Sequence, residues 1–154
     1  MNRFFTTMLV VFLLSACEKP SSSSVYPTSL VKINSAAGSY TLTLEVARTP
    51  EQQQHGLMFR ENLAPDGGMI FVYPTAQKIA MWMKNTPLSL DMVFLGNDRK
   101  ISAIVTNTEP QSEKIIESEE PAIAVIELKA GTAKRLGLRV GDTVESAVLA
   151  PSVE

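Results

Sequence analysis

The sequence predicts a mainly β domain, β-rich α+β in class. The expected architecture is a small closed or partly closed antiparallel β-barrel of about 7–8 short strands with one or two short helices. Three observations point there. Short alternating or apolar runs recur between turn residues along the chain. Only two stretches carry helix-start or helix-stop signals, and both are brief. So many short strands, in about 115 residues, leave open edges unless the sheet rolls up.

The elements follow in order. Residues 30–33 form a first strand, and residues 35–39 turn around Gly38 into a second over 40–46. There Tyr40, Leu42, Leu44 and Val46 alternate with polar residues, the period of a half-buried strand. Thr49-Pro50-Glu51-Gln52 then reads as a helix start. Thr49 is the N-cap, Pro50 suits the first helical position, and Gln52 completes a capping box. Gly56 stops this helix early. Residues 68–73 make an apolar strand ended by Pro74. Further strands span 78–83 and 88–95. The turn Gly96-Asn97-Asp98-Arg99 leads into a returning strand over 101–105. Residues 109–120 are polar and acidic and read as an exposed loop. An apolar strand covers 122–128, residues 131–136 form a helical turn closed by Gly137, and Val140-Gly141-Asp142 turns into a last strand.

The N-terminus carries an address. A short basic start, Met1-Asn2-Arg3, precedes an apolar run to Leu14 that is too short for an ordinary membrane span. Leu14-Ser15-Ala16-Cys17 resembles the lipobox of bacterial lipoproteins, which implies cleavage before Cys17 and lipidation of that residue. Several acyl chains hold far more firmly than one. Residues 18–24, rich in serine, cannot bury anything and suit a flexible tether. The expected organisation is a signal peptide over 1–16, lipidated Cys17 and tether over 17–29, one β-rich domain over 30–148, and a tail over 149–154. The expected location is the bacterial cell envelope, with the domain facing the periplasm. Glu18, which is not Asp, leans the sorting towards the outer membrane.

Composition narrows the function classes. The chain has 154 residues, 45% apolar and 19% charged, which is globular and large enough to bury a core without disulfides. The net charge of −2 supplies no strong positive field, so no nucleic-acid partner is expected. One cysteine and one histidine exclude an internal disulfide, a CxxC site and any multi-histidine metal site. A Ser-His-Asp triad would need His55, and no nucleophile elbow or phosphate-binding glycine loop is present. The expected partners are the membrane, through the lipid, and an envelope ligand or protein, with the domain itself a monomer.

Three chemistries remain. The first is a non-catalytic binding patch. Lys84, Asn85 and Thr86 directly follow the strand that carries Trp82, and polar loop groups beside an indole suit a ligand pocket. Asp91 interrupts an apolar run, so it needs a partner, for which Arg60 or Lys84 is available. The second is soft-metal binding. Of seven methionines, Met58, Met69, Met81, Met83 and Met92 fall between residues 58 and 92. Thioethers favour Cu(I), and Met58, Met69, Met81 and Met83 with His55 are the candidate ligands. Methionine is also an adaptable core filler. If Met81 and Met83 face inward, Trp82 faces out and becomes a platform for sugars or peptides. No cofactor is expected outside this Cu(I) alternative. The third is a carboxylate-based hydrolase drawing on Glu51, Glu61, Asp66, Asp91, Asp98, Glu127 or Asp142.

Several motifs in order resemble one bacterial and archaeal family. They are Glu51 with Gly56-Leu57-Met58-Phe59-Arg60, then Gly68-Met69-Ile70-Phe71-Val72, Trp82-Met83-Lys84-Asn85-Thr86 and Leu90-Asp91-Met92-Val93-Phe94. Ile126-Glu127-Leu128-Lys129-Ala130-Gly131 and Leu136-Gly137-Leu138-Arg139-Val140-Gly141-Asp142 complete the pattern. Together they resemble the domain of unknown function 192 family. Met81 stands where that family often has an aromatic, and Pro87-Leu88-Ser89 where it often has Ile-Pro. The resemblance implies a small β-rich fold and no catalytic residues.

Overall fold

A computed structural model describes residues 26–149. The expected signal peptide, Cys17 and most of the tether and tail lie outside the described residues. Nine strands are present among the described residues: β1 (Thr28–Ser35), β2 (Gly38–Ala47), β3 (Gly68–Gln77), β4 (Ala80–Met81), β5 (Leu90–Leu95), β6 (Ile101–Val105), β7 (Ile116–Glu117), β8 (Ala122–Lys129) and β9 (Thr143–Glu145). Two short helices, α1 (Pro50–His55) and α2 (Thr132–Arg135), and a terminal 3₁₀ turn at Ala147–Leu149 complete the domain.

Seven strands form one sheet in the order β6-β5-β8-β3-β2-β1-β9, and β4 pairs with β7 separately. The large sheet curls until its two ends meet. Lys100 bridges Thr143, the Ile101 amide donates to the Asp142 carbonyl at 2.9 Å, and the Val144 amide donates to the Arg99 carbonyl at 2.9 Å. The expected roll is therefore present, with its outer strands joined at one end. Its antiparallel character has one exception: β2 and β3 run parallel, since α1 and the loop after it form a crossover between them.

The elements differ from expectation at several places, each with a local cause. β1 begins at Thr28 and Tyr26 is already buried, both inside the segment expected as tether. Leu149 is likewise buried where a tail was expected. β3 runs past Pro74 to Gln77, because the register with β8 shifts between Val72 and Gln77 and no ladder N–H is needed at the proline. The strand expected over 78–83 shrinks to β4, whose partner β7 lies in the stretch expected as exposed loop. Ser118 fixes that pairing: its side chain accepts from the Ile79 amide at 3.0 Å, and its own amide donates to the Ile79 carbonyl at 2.9 Å.

β3, β5 and β8 are buried on both faces, which explains why they read as continuous apolar runs. Inside the roll, Val31, Ile33, Leu44, Ile70, Val93 and Ile126 pack as one core. On the outer face of the β3–β8–β5 wall, Met69, Phe71, Met92, Phe94 and Val125 form a second core. Leu57, Ile79, Met81 and Met83 from the connecting segments cover it. Gly68 marks the tightest approach in the wall: a Cβ there would lie 2.2 Å from the Glu127 carbonyl.

Candidate functional site

The covering layer over the second core carries the site. α1 is set by its N-cap as expected: the Gln52 amide donates to the Thr49 hydroxyl at 3.3 Å and the Thr49 amide to the Gln52 side chain at 3.1 Å. Gly56 ends the helix at φ 50°, and a Cβ there would press on Phe71 at 3.1 Å. Gln53 pins the helix to β3, donating to the Val72 carbonyl at 2.9 Å. The Tyr26 hydroxyl lies 3.2 Å from His55 Nδ1, holding the last helical residue from the chain's entry point.

The segment after β4 docks against this helix end. The Phe59 amide donates to the Asn85 carbonyl at 2.7 Å, with both residues at positive φ. The Thr86 hydroxyl donates to the Lys84 carbonyl at 3.1 Å, and the Thr86 amide to the Met83 carbonyl at 3.0 Å. Between the two segments lies a cleft of about 320 Å³ lined by Glu51, Gln54, His55, Met58, Trp82, Lys84 and Asn85. Trp82 is 36% exposed while Met81 and Met83 on either side are buried, the alternation expected of that strand. Lys84 Nζ sits 5.5 Å from the Trp82 ring centroid and 3.7 Å from Glu113.

A narrow inner pocket of about 20 Å³ adjoins the cleft and shares Gln54, His55, Met58 and Trp82 with it. Phe71, Met81, Thr86 and Glu127 also line this pocket. Glu127 is 4% exposed and stands in register between Met69 of β3 and Met92 of β5. Burial pushes its carboxyl up to about 8. Tyr73 is raised as well, first by its own burial and then by the nearby Glu127 charge. Glu51, in contrast, is held below the usual carboxylate range by hydrogen bonds from its own backbone and from Thr49. Glu51 lines the cleft and Glu127 the inner pocket, so neither cavity is walled by both carboxylates.

The structure thus brings Trp82, Lys84, Asn85 and Thr86 together and leaves out two residues grouped with them. Arg60 turns away to a bidentate pair with Glu45, at 2.9 and 2.7 Å. Asp91 has neither expected cation. It is fully buried on the opposite face of β5, where its carboxylate accepts from the Asn107 amide at 3.0 Å and the Ala133 amide at 2.9 Å. It ties the segment after β6 to the start of α2. Of the candidate soft ligands, His55, Met58 and Met81 share the inner pocket. Met69 is core, and the Met83 sulfur accepts from the Thr108 hydroxyl at 3.2 Å. Among the described residues no three His, Cys, Asp or Glu side chains converge as a metal set. Gln54 was not among the expected site residues, and Glu127 was named only among the hydrolase carboxylates. Glu127 carries the same signal that singled out Asp91, an ionisable residue inside an apolar strand.

Two solved structures share this architecture. One, from Sinorhizobium meliloti 1021 and described provisionally as a transcription regulator, is 46% identical with a TM-score of 0.77, covering 79% of this chain and 95% of its own. The other, a protein of unknown function from Novosphingobium aromaticivorans DSM 12444, is 35% identical with a TM-score of 0.78, covering 85% of this chain and 94% of its own. No curated protein matches the chain. The family model for DUF192, described as an uncharacterized ACR, matches residues 31–146. With the fold, the motif order and this match in agreement, the chain belongs to the domain of unknown function 192 family.

Proposed function

We propose that this chain is a lipid-anchored protein of a bacterial envelope, and that its domain binds a small polar ligand without transforming it. The address rests on Cys17 at the end of a signal-like segment. The binding reading rests on one observation, the cleft of about 320 Å³ with an indole in its wall. That size is at the low end for small-molecule sites, enough for one sugar ring or a dipeptide. The Trp82 ring offers a flat apolar surface, while Gln54, Asn85, Glu51 and Lys84 offer donors and acceptors beside it. A saccharide suits such a lining, because one face of its ring is apolar and its rim is hydroxylated.

Trp82 is the only tryptophan, so its emission reports on this cleft alone. Saturable emission changes with an envelope saccharide, weakened in Gln54→Ala and in Lys84→Ala, are the expected result. A panel of monosaccharides and dipeptides that leaves the emission unchanged would refute the binding reading. Ag(I), as a stand-in for Cu(I), belongs in the same titration. Stoichiometric quenching that Met81→Leu abolishes would replace the saccharide reading with a soft-metal one.

A further inference from the structure

We propose that the inner pocket is a subsite for a primary ammonium group on the ligand, with the Glu127 carboxylate as its counter-charge. The proposal rests on the cleft being a ligand site and names the class of ligand: one that carries a free primary amine.

Four observations lead there. Glu127 is 4% exposed, yet its carboxyl meets no hydrogen-bond donor or cation among the described residues. No described side-chain oxygen is both sealed and unbonded, so its carboxyl keeps access to the pocket it lines. The other walls include Phe71, Trp82 and the thioethers of Met58 and Met81, and the aromatic faces among them attract a cation. The volume of about 20 Å³ holds about one water-sized group. An –NH₃⁺ head fits, and a trimethylammonium head does not. Lys84 of the adjoining cleft is committed elsewhere, over Trp82 and beside Glu113. Of the other titratable groups, His55 from α1 lines the pocket, Tyr73 from β3 feels the Glu127 charge, and Asp91 on β5 is turned to the opposite face, leaving Met92 in register with Glu127.

The proton balance is simple. The amine enters as the ammonium ion, and the carboxylic proton of Glu127 leaves to solvent. With that carboxyl near 8, close to one proton per ligand is released at neutral pH, and for an amine that stays protonated, such as ethanolamine, affinity rises roughly fivefold from pH 7 to pH 8.

The test uses the purified full chain with ¹³C-carboxyl-labelled glutamate. Ethanolamine and glucosamine are titrated against choline and glucose, with Ag(I) in a separate arm. Primary amines should move the Glu127 carboxyl resonance and release a proton, and choline and glucose should do neither. Glu127→Gln should weaken amine binding on the order of a hundredfold and remove its pH dependence. The comparison of ethanolamine with choline needs no variant. Glucose and glucosamine perturbing Trp82 equally, with Glu127 unmoved, would overturn the subsite and leave the cleft reading intact. A Glu127 response to Ag(I) but not to amines would overturn it in favour of a soft metal held with His55, Met58 and Met81. Silence in every arm would overturn both.

Discussion

Replacing Glu127 with glutamine should make this protein more stable at neutral pH. The unfolded chain holds an ordinary glutamate, ionised above about 4.5, whereas the folded chain keeps it neutral up to about 8. Between those values the native state binds one more proton than the unfolded state. Stability is therefore full below the lower value and is lost as pH rises through the upper one, at about 1.4 kcal/mol per pH unit. At pH 7 the accumulated loss is about 3 kcal/mol. Glutamine keeps the shape and carries no charge, so Glu127→Gln should recover most of this, less about 1 kcal/mol for a buried amide. Urea unfolding of both proteins from pH 5 to pH 9 measures it. The wild type should weaken steadily towards pH 8, and the two curves should separate as it does. Parallel curves across that range would show that the carboxyl is already compensated, and the reasoning would fail.

Three further substitutions test the frame. Gly68→Ala would drive a methyl group into the Glu127 carbonyl, so β3 and β8 must separate. A loss of at least about 3 kcal/mol, or failure to fold, is expected by thermal unfolding. Asp91→Ala strands the buried Ala133 amide and takes the acceptor from the Asn107 amide, costing about 2–5 kcal/mol in denaturant titrations. A cost under 1 kcal/mol would contradict the assigned bonds. Thr49→Ala removes the cap of α1 and should cost about 1 kcal/mol. Hydrogen exchange at the Gln52 amide should rise selectively.

Legibility differed between kinds of element. β2 showed its alternation because it carries polar residues such as Thr41 and Thr43 on one face. The cap of α1 was readable because all its partners lie within four residues. β4 and β7 were not, since their pairing depends on Ser118 meeting Ile79 across 39 residues. The same holds for the site. Trp82, Lys84, Asn85 and Thr86 are consecutive or nearly so, and they stand around the cleft and its inner pocket. Arg60 and Asp91 were grouped with them on chemical complementarity, which ignores the face of the sheet on which each stands. Glu127 was named only as one of seven carboxylates, because β8 is apolar on both faces and no periodicity says which way it points. Only the neighbours, Met69 and Met92 in register on either side, show that it stands in the second core.

The bond between the Tyr26 hydroxyl and His55 has a mechanical consequence. Tyr26 is the first described residue, and the Pro27 carbonyl beside it accepts from the Val46 amide at 2.8 Å. His55 walls both the cleft and the inner pocket. A pull on the N-terminal side of the domain therefore meets the cleft wall before it meets the barrel. Tension that peels Tyr26 away would release His55 and the end of α1 while leaving the β1–β2 hairpin zipped. Among the described residues, the cleft wall is where load applied at the N-terminal end of the domain arrives first.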